Sequence, residues 1–370
     1  MWFLNILVLV HSIISNTFAN LMKFIYSFLA LALIMLSGCK QDFQVTVSKY
    51  VDTPVIYGLL ATHDYGNDGN THYIRIQKGY LLKGNAYLAA GVTDSIYYPD
   101  NLSVKLISSN GFSTFTLSRV DGATVGLNKD TGIFANTPNY LYTFHQLLDS
   151  TRNYTLVVTK NGGADTLAIA STALVNNWKI YSPSNLGLST IPFANASPAT
   201  LTWSAASNAG VYDLTVRFFY REYIAATSTL SKDTFIDIPI FTSFIPTGSN
   251  NTVSYTLAAS VFLSYMAEHI TRDPLVYRTF NNQAGMQFKF AAGGTDLTNY
   301  FISQESQSGL TSSNALPAFT NVAGGVGLLS SREYQEVDNI LLSNAGLDTL
   351  ACDPTASFLN FKNSSGNICH

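Results

Sequence analysis

The chain repeats one local pattern, in which short alternating apolar runs are separated by turns rich in asparagine and glycine. The clearest copy is YTLVVTKNGGADTLAIAST, where the runs 154–160 and 165–172 flank the turn NGG (161–163). A second copy surrounds SNG (109–111). Alternation with a period of two residues predicts strands with one buried face, and the turn residues predict hairpins. Short strands at regular spacing are typical of antiparallel β-sandwiches.

The composition agrees with a mainly β fold. Of the 370 residues, 13% are aromatic and 12% are charged, about half the usual charged share. Aromatic, β-branched and small polar residues favour strands and turns over helices. The net charge of −3 leaves no basic excess, so we do not expect nucleic acid as a partner.

The pattern predicts two tandem antiparallel β-sandwich domains, at 44–176 and 177–346. In the second, LTWSAASNAGVYDLTVRFFYRE (201–222) places a tryptophan strand before a short turn and a strand opened by tyrosine. This arrangement resembles fibronectin type III and related immunoglobulin-like domains. The resemblance implies that Trp203 and Tyr212 are core residues.

Two segments of the second domain depart from the strand pattern. In YTLAASVFLSYMAEHITRDP, the residues Leu257, Val261, Tyr265 and Met266 recur at helical spacing, and Pro274 ends the pattern. A second short helix is predicted over 297–304. The segment AGGVGLL (323–329) predicts a glycine-rich turn that leads into a strand. It lacks the G-x-G-x-x-G spacing of a phosphate-binding loop.

The start of the chain carries an export signal. Lys23 precedes an apolar run, 24–36, which is shorter than the roughly 20 residues that span a bilayer. The run ends in LSGC, which resembles a bacterial lipobox, and this implies lipidation of Cys39. We therefore expect residues 1–38 to be a signal peptide whose true start is Met22, followed by a tether over 39–43. The alternative is an ordinary signal peptide or anchor with an incidental cysteine.

Several segments together resemble a known family. The lipobox is followed by PVIYGLL, HYIRIQKGYL, YTLVVTKNGGADTLAIAST and FTNVAGGVGLLSSR. Their order resembles a domain-of-unknown-function family of outer-membrane lipoproteins in Bacteroidota. The resemblance implies tandem β-sandwiches and an association with TonB-dependent transporters, and it brings no catalytic residues. Lys40 after the lipidated cysteine favours the outer membrane and leaves open which membrane face is occupied.

Two cysteines remain in the C-terminal segment 347–370. Disulfides persist in the oxidising envelope to which the export signal directs the chain. We therefore predict a disulfide between Cys352 and Cys369. The alternative, a metal site that includes His370, lacks enough ligands.

The loop THDYGNDGNTH (62–72) contains the best cluster of metal ligands in the sequence. Its oxygen-bearing residues suit Ca²⁺, although the spacing is not that of an EF-hand. They are Asp64, Asn67, Asp68 and Asn70. His63 and His72 suggest Zn²⁺ instead. The competing interpretation is a polar loop whose Asn, Asp and Gly residues serve turns.

The sequence contains no catalytic motif, so we expect a non-enzymatic protein without a cofactor. Aromatic rings that emerge from a sandwich can stack on sugars, and Tyr97, Tyr98 and Tyr223 are the candidates. The leading hypothesis is an outer-membrane-anchored accessory or binding component of a TonB-dependent nutrient uptake system. The alternatives are a stand-alone surface glycan-binding lipoprotein and an envelope hydrolase with a non-local site. The sequence does not name a ligand.

Overall fold

The structure, a computed structural model, describes residues 53–63, 70–79, 88, 90–184, 189–194, 198–248, 251–308 and 318–369. The chain divides into the units Met1–Tyr50 and Val51–His370, and every described residue belongs to the second. The predicted signal peptide, Cys39 and the tether therefore lie outside the described residues.

The described part of the chain is mainly β, as the sequence predicts, and strands outnumber helices along it. The strands are β1 Thr53–Ala61, β2 Thr71–Gly79, β3 Ser103–Ser108, β4 Thr114–Asp121, β5 Tyr140–His145, β6 Asn153–Lys160, β7 Asp165–Ala173, β8 Ile180–Ser182, β9 Thr190–Ile191, β10 Ala199–Ser204, β11 Ala209–Ile224, β12 Leu230–Phe244, β13 Thr252–Leu257, β14 Val276–Phe280, β15 Met286–Gly294, β16 Val322–Ala323 and β17 Val326–Leu342. The helices are α1 Thr93–Ile96, α2 Ala259–His269, α3 Thr295–Ser308 and α4 Asn344–Cys352.

Most strands join one 14-stranded sheet, whose main path runs β12-β11-β15-β17-β1-β2-β5-β4-β3-β6-β7-β16. β14 adds to β11, and β9 adds to β17. A separate three-stranded sheet has the order β13-β10-β8. Most pairs are antiparallel, but β1 and β9 each run parallel to β17, so the sheet is mixed where an antiparallel one was predicted.

The chain packs around two hydrophobic cores. The first core takes buried residues from β1 through Leu174, and the second begins at Val175 and continues to Phe361. Val322 of β16 and Leu329 of β17 return to the first core. The predicted domain boundary at 176 thus falls next to the change of core, while β17 and β1 join both halves in one sheet.

Each core contains a tyrosine whose hydroxyl accepts a hydrogen bond from a backbone N–H. Tyr212 Oη accepts from the Ala206 N–H at 2.9 Å, and the Tyr212 ring contacts Trp203 at 5.4 Å between centroids. In the first core, Tyr154 Oη accepts from the Asp149 N–H at 2.9 Å. Such tyrosine corners are a feature of immunoglobulin-like sandwiches. Trp203 and Tyr212 are 0% and 2% exposed, which confirms their predicted place in the core.

Helix α2 forms as predicted, and its buried face includes the predicted Met266 but not the predicted Val261. The sequence placed Leu257 and Val261 on the apolar side, whereas Leu257 ends β13 and Val261 is 40% exposed. The buried positions recur at intervals of three and four residues, as expected for one face of a helix. They are Ala259, Phe262, Leu263 and Met266. Among the described helices, none is long and apolar enough to cross a membrane.

The glycines of AGGVGLL serve the backbone between β16 and β17. Gly324 has a φ of +80°, and a Cβ on it would lie 2.5 Å from the Leu167 oxygen. Gly327 has a φ of +116°, and its Cβ would overlap the Ile56 carbonyl of β1. The segment is a turn that leads into a strand, as predicted. Glycine is needed at both positions because a side chain there would separate neighbouring strands.

Candidate functional site

The predicted metal loop lies mostly outside the described residues. Asp64, Asn67 and Asp68 are not described, and the carbonyl of Asn70 accepts a hydrogen bond from the Gln146 N–H at 2.7 Å. The Ca²⁺ site therefore stays a prediction. Within the ranges that the structure describes, no three His, Cys, Asp or Glu residues are grouped so that they could hold a metal ion.

The two histidines that flank this loop have different environments. His72 is 3% exposed, stacks on Phe144 at 4.6 Å, and has its Nε2 3.1 Å from the Gln146 carbonyl. His63 is exposed and has its Nδ1 3.8 Å from an oxygen of Glu333. His72 therefore packs in the first half of the sheet, whereas His63 faces a carboxylate of β17.

The structure corrects the prediction that Tyr97 and Tyr98 present their rings to solvent. Their exposed fractions are 3% and 6%. They directly follow α1, which lies against β2, and Tyr98 belongs to the first core. Tyr97 meets Tyr140 edge-on at 5.2 Å, and the Nζ of Lys78 lies 5.7 Å from the centre of the Tyr98 ring. Buried rings of this kind cannot form a surface for sugars.

Tyr223 is half-buried and belongs to a cluster that the sequence did not reveal. Its ring stacks on Tyr277 with centroids 5.1 Å apart and planes 8° from parallel. The Nζ of Lys362 lies 4.0 Å from the centre of the Tyr277 ring. We call Tyr223, Tyr277 and Lys362 the aromatic platform.

Strand register explains how the aromatic platform forms. β11 and β14 pair antiparallel, and Tyr223 lies directly opposite Tyr277. Lys362 follows Phe361, which is bridged to Arg278 next to Tyr277. On the other side of β11, Tyr223 is paired with Leu230, which is 53% exposed. The alternation of VYRTF (276–280) marks a strand in the sequence, but no local signal shows which strand it joins.

Three carboxylates on β11 and β12 each accept a hydrogen bond from an arginine. Arg217 donates from Nε and Nη2 to the two oxygens of Asp237, both at 2.7 Å. These hydrogen bonds hold the pKa of Asp237 below its usual value. Asp233 accepts from Arg221 at 3.0 Å, and Glu222 accepts from Arg278 at 2.8 Å.

Glu333 of β17 is a buried carboxylate that the sequence did not reveal. It is 9% exposed and lies opposite the fully buried Ala292 of β15. Burial raises its pKa, and the nearby His63 acts in the opposite direction. Four of the six residues in REYQEV (332–337) are polar, so nothing local indicates that Glu333 is buried.

The predicted disulfide is present. Cys352 at the end of α4 is bonded to Cys369, with Cα atoms 5.0 Å apart. Beside it is an open cleft of about 310 Å³, a volume near the lower limit for small-molecule sites. We call it the tail cleft, and its lining residues are Arg272, Pro274, Ser357, Phe358, Asn360 and Cys369.

Comparisons with known proteins do not identify a family for this chain. No protein-family model and no curated protein matches the chain. The FN1–FN3 domains of chicken CNTN1 align with 77% of this chain and 67% of that chain, at 7% identity and a TM-score of 0.17. The C-terminal globular domain of an oligosaccharyltransferase from Pyrococcus abyssi aligns with 61% of this chain and 46% of that chain, at 11% identity and a TM-score of 0.19. TM-scores this low carry no argument.

Proposed function

We propose that this protein is a lipid-anchored binding protein of the bacterial outer membrane, without catalytic activity of its own. The observation that carries the proposal is the sequence LSGC (36–39) directly after an apolar run of signal-peptide length. Burial of an acyl chain contributes about 0.8 kcal/mol for each CH₂ group, and two or more chains give stable attachment. A lipid on Cys39 would therefore hold the β-rich unit at a membrane surface.

The anchor is tested by labelling cells with radioactive palmitate and separating membranes from soluble protein. The wild-type chain should carry label and sediment with the membranes, whereas Cys39→Ser should lose the label. The matched control is the double variant Cys352→Ser, Cys369→Ser, which removes both other cysteines and should keep the label. Equal labelling of wild type and Cys39→Ser would refute the anchor.

The partner that we propose is a TonB-dependent transporter, for which this chain would be an accessory or binding component. This step rests on the resemblance to outer-membrane lipoproteins that are associated with such transporters, and it is an analogy between families. Affinity purification of the tagged chain from native membranes in mild detergent should recover a β-barrel transporter. Recovery of the chain alone under these conditions would count against the partner but would leave the anchor untouched.

A second candidate function is the binding of neutral glycans at the aromatic platform. Tyr223 and Tyr277 supply two half-buried rings, and exposed Leu230 borders Tyr223. Tyrosine offers sugars an apolar ring and a hydroxyl in one side chain. On a glycan array, Tyr223→Ala and Tyr277→Ala should each lose signal. Tyr181→Ala is the control, because this tyrosine of β8 is 49% exposed.

A further inference from the structure

The tail cleft lies between two chain segments that are far apart in sequence. Arg272 and Pro274 come from the connection between α2 and β14. Ser357, Phe358 and Asn360 come from the segment after α4. None of the candidate sites that the sequence suggests includes these residues.

The two walls of the tail cleft are tied together. The amide of Asn360 donates to the Asp273 carbonyl at 3.3 Å and to the Val276 carbonyl at 3.1 Å. Asn360 has a φ of +57°, a conformation that asparagine adopts more readily than most residues. The disulfide fixes Cys369, which completes the lining, to α4. A site with such fixed walls loses little entropy when a ligand binds.

The chemistry of the lining favours a ligand that combines a ring with a negative charge. The Arg272 guanidinium carbon lies 6.0 Å from the centre of the Phe358 ring. Within the described part of the chain, no carboxylate lies within 4.0 Å of the Arg272 nitrogens. The adjacent Asp273 instead accepts a hydrogen bond from the Leu275 N–H at 2.8 Å. Guanidinium groups bind carboxylates through two parallel hydrogen bonds, and an aromatic ring offers a stacking surface.

We propose that the tail cleft binds a small ring compound that carries a carboxylate. The carboxylate pairs with Arg272, and the ring lies on Phe358. Ser357 and Asn360 contribute polar atoms beside the ring. A cleft of about 310 Å³ suits one ring rather than a long chain. The same chemistry is found in sugar acids and in aromatic acids. The proposal depends neither on a transporter nor on the aromatic platform.

Titration calorimetry on the full chain in detergent distinguishes these sources. The probes are galacturonate with galactose as its uncharged partner, and benzoate with benzyl alcohol as its uncharged partner. We expect at least one acid to bind at least tenfold more tightly than its uncharged partner. Preference for galacturonate identifies a sugar-acid site, and preference for benzoate identifies an aromatic-acid site.

Variants test the roles of the two side chains. Arg272→Gln and Phe358→Leu should each weaken binding of the preferred acid at least tenfold. Arg152→Gln is the matched control, since it removes an arginine charge on the connection between β5 and β6. This variant should bind the preferred acid as tightly as wild type does. Melting temperatures of all variants show whether they fold. The proposal is overturned if neither acid binds, if acid and uncharged partner bind equally, or if a folded Arg272→Gln variant binds like wild type.

Discussion

The contact between β17 and β1 at Gly327 offers the sharpest test of how the two halves are joined. Gly327 is paired with Ile56 in the parallel ladder. A Cβ at this position would overlap the Ile56 carbonyl oxygen and lie 2.9 Å from its carbon. β1 cannot move away freely, because its other edge is paired with β2 through Ile56 and Ile76.

The expected cost of Gly327→Ala has two parts. A φ of +116° is unfavourable for an L-residue, and such strain costs about 1–3 kcal/mol. Forcing an extra methyl group into a packed site costs about 1–3 kcal/mol more. We therefore expect the free energy of unfolding to fall by about 2–6 kcal/mol.

Two other glycines separate these contributions. Gly366 has a φ of +80° with nothing within 4 Å of its Cβ position, so Gly366→Ala reports the cost of a positive φ without steric overlap. Gly132 has open space around it and no such φ, so Gly132→Ala should be neutral or slightly stabilising. Of these three changes, only Gly327→Ala combines strain with overlap.

The assay is urea unfolding of the full chain in detergent. Unfolding is monitored by tryptophan fluorescence and by far-ultraviolet circular dichroism. Trp178 and Trp203 are both buried in the second core, so fluorescence reports that core and dichroism reports the whole sheet. A loss of about 3 kcal/mol would lower the midpoint by about 1 M for a slope near 3 kcal/mol per M. If Gly327→Ala unfolds within 1 kcal/mol of Gly132→Ala, the reasoning from steric overlap is wrong.

Three further changes should alter stability in defined ways. Tyr212→Phe leaves the Ala206 N–H buried without its acceptor and should cost about 1–3 kcal/mol, measured as a lower urea midpoint; an unchanged midpoint would contradict this role of the hydroxyl. Replacing Cys352 and Cys369 by serine removes a disulfide across a sequence separation of 17, which should lower the free energy of unfolding by about 3 kcal/mol in oxidising buffer. In reducing buffer, the variant and wild type should have the same free energy of unfolding. Burial raises the pKa of Glu333 in the folded chain, so wild type should lose stability as the pH rises from the ordinary glutamate pKa through the raised one. Glu333→Gln should therefore gain stability relative to wild type over that rise in pH, and a constant difference would contradict this.

The local elements follow closely from the sequence. The runs around NGG (161–163) become β6 and β7, and the segment before Pro274 becomes α2. Periodicity identifies such elements because it depends only on neighbouring residues. Val261 shows the limit of this reasoning, because its exposure depends on which side of α2 meets the core.

The candidate sites were harder to predict than the strands. Tyr97 and Tyr98 are buried because α1 lies on the sheet, and an aromatic pair in a sequence does not reveal what covers it. Tyr223 is half-buried, and its partners Tyr277 and Lys362 come from distant segments, so its role as a ligand-binding ring stays a prediction. Arg272 and Phe358 likewise meet only in the folded chain.

The sequence by itself determined the mainly β character, the core roles of Trp203 and Tyr212, and the pairing of Cys352 with Cys369. These depend on local patterns or on a choice among few residues. Only the tertiary structure decided that β1 runs parallel to β17, that Glu333 is buried and that the tail cleft exists. Strand pairing and burial depend on contacts between segments far apart in the chain, and local periodicity is the same whichever partner a strand finds.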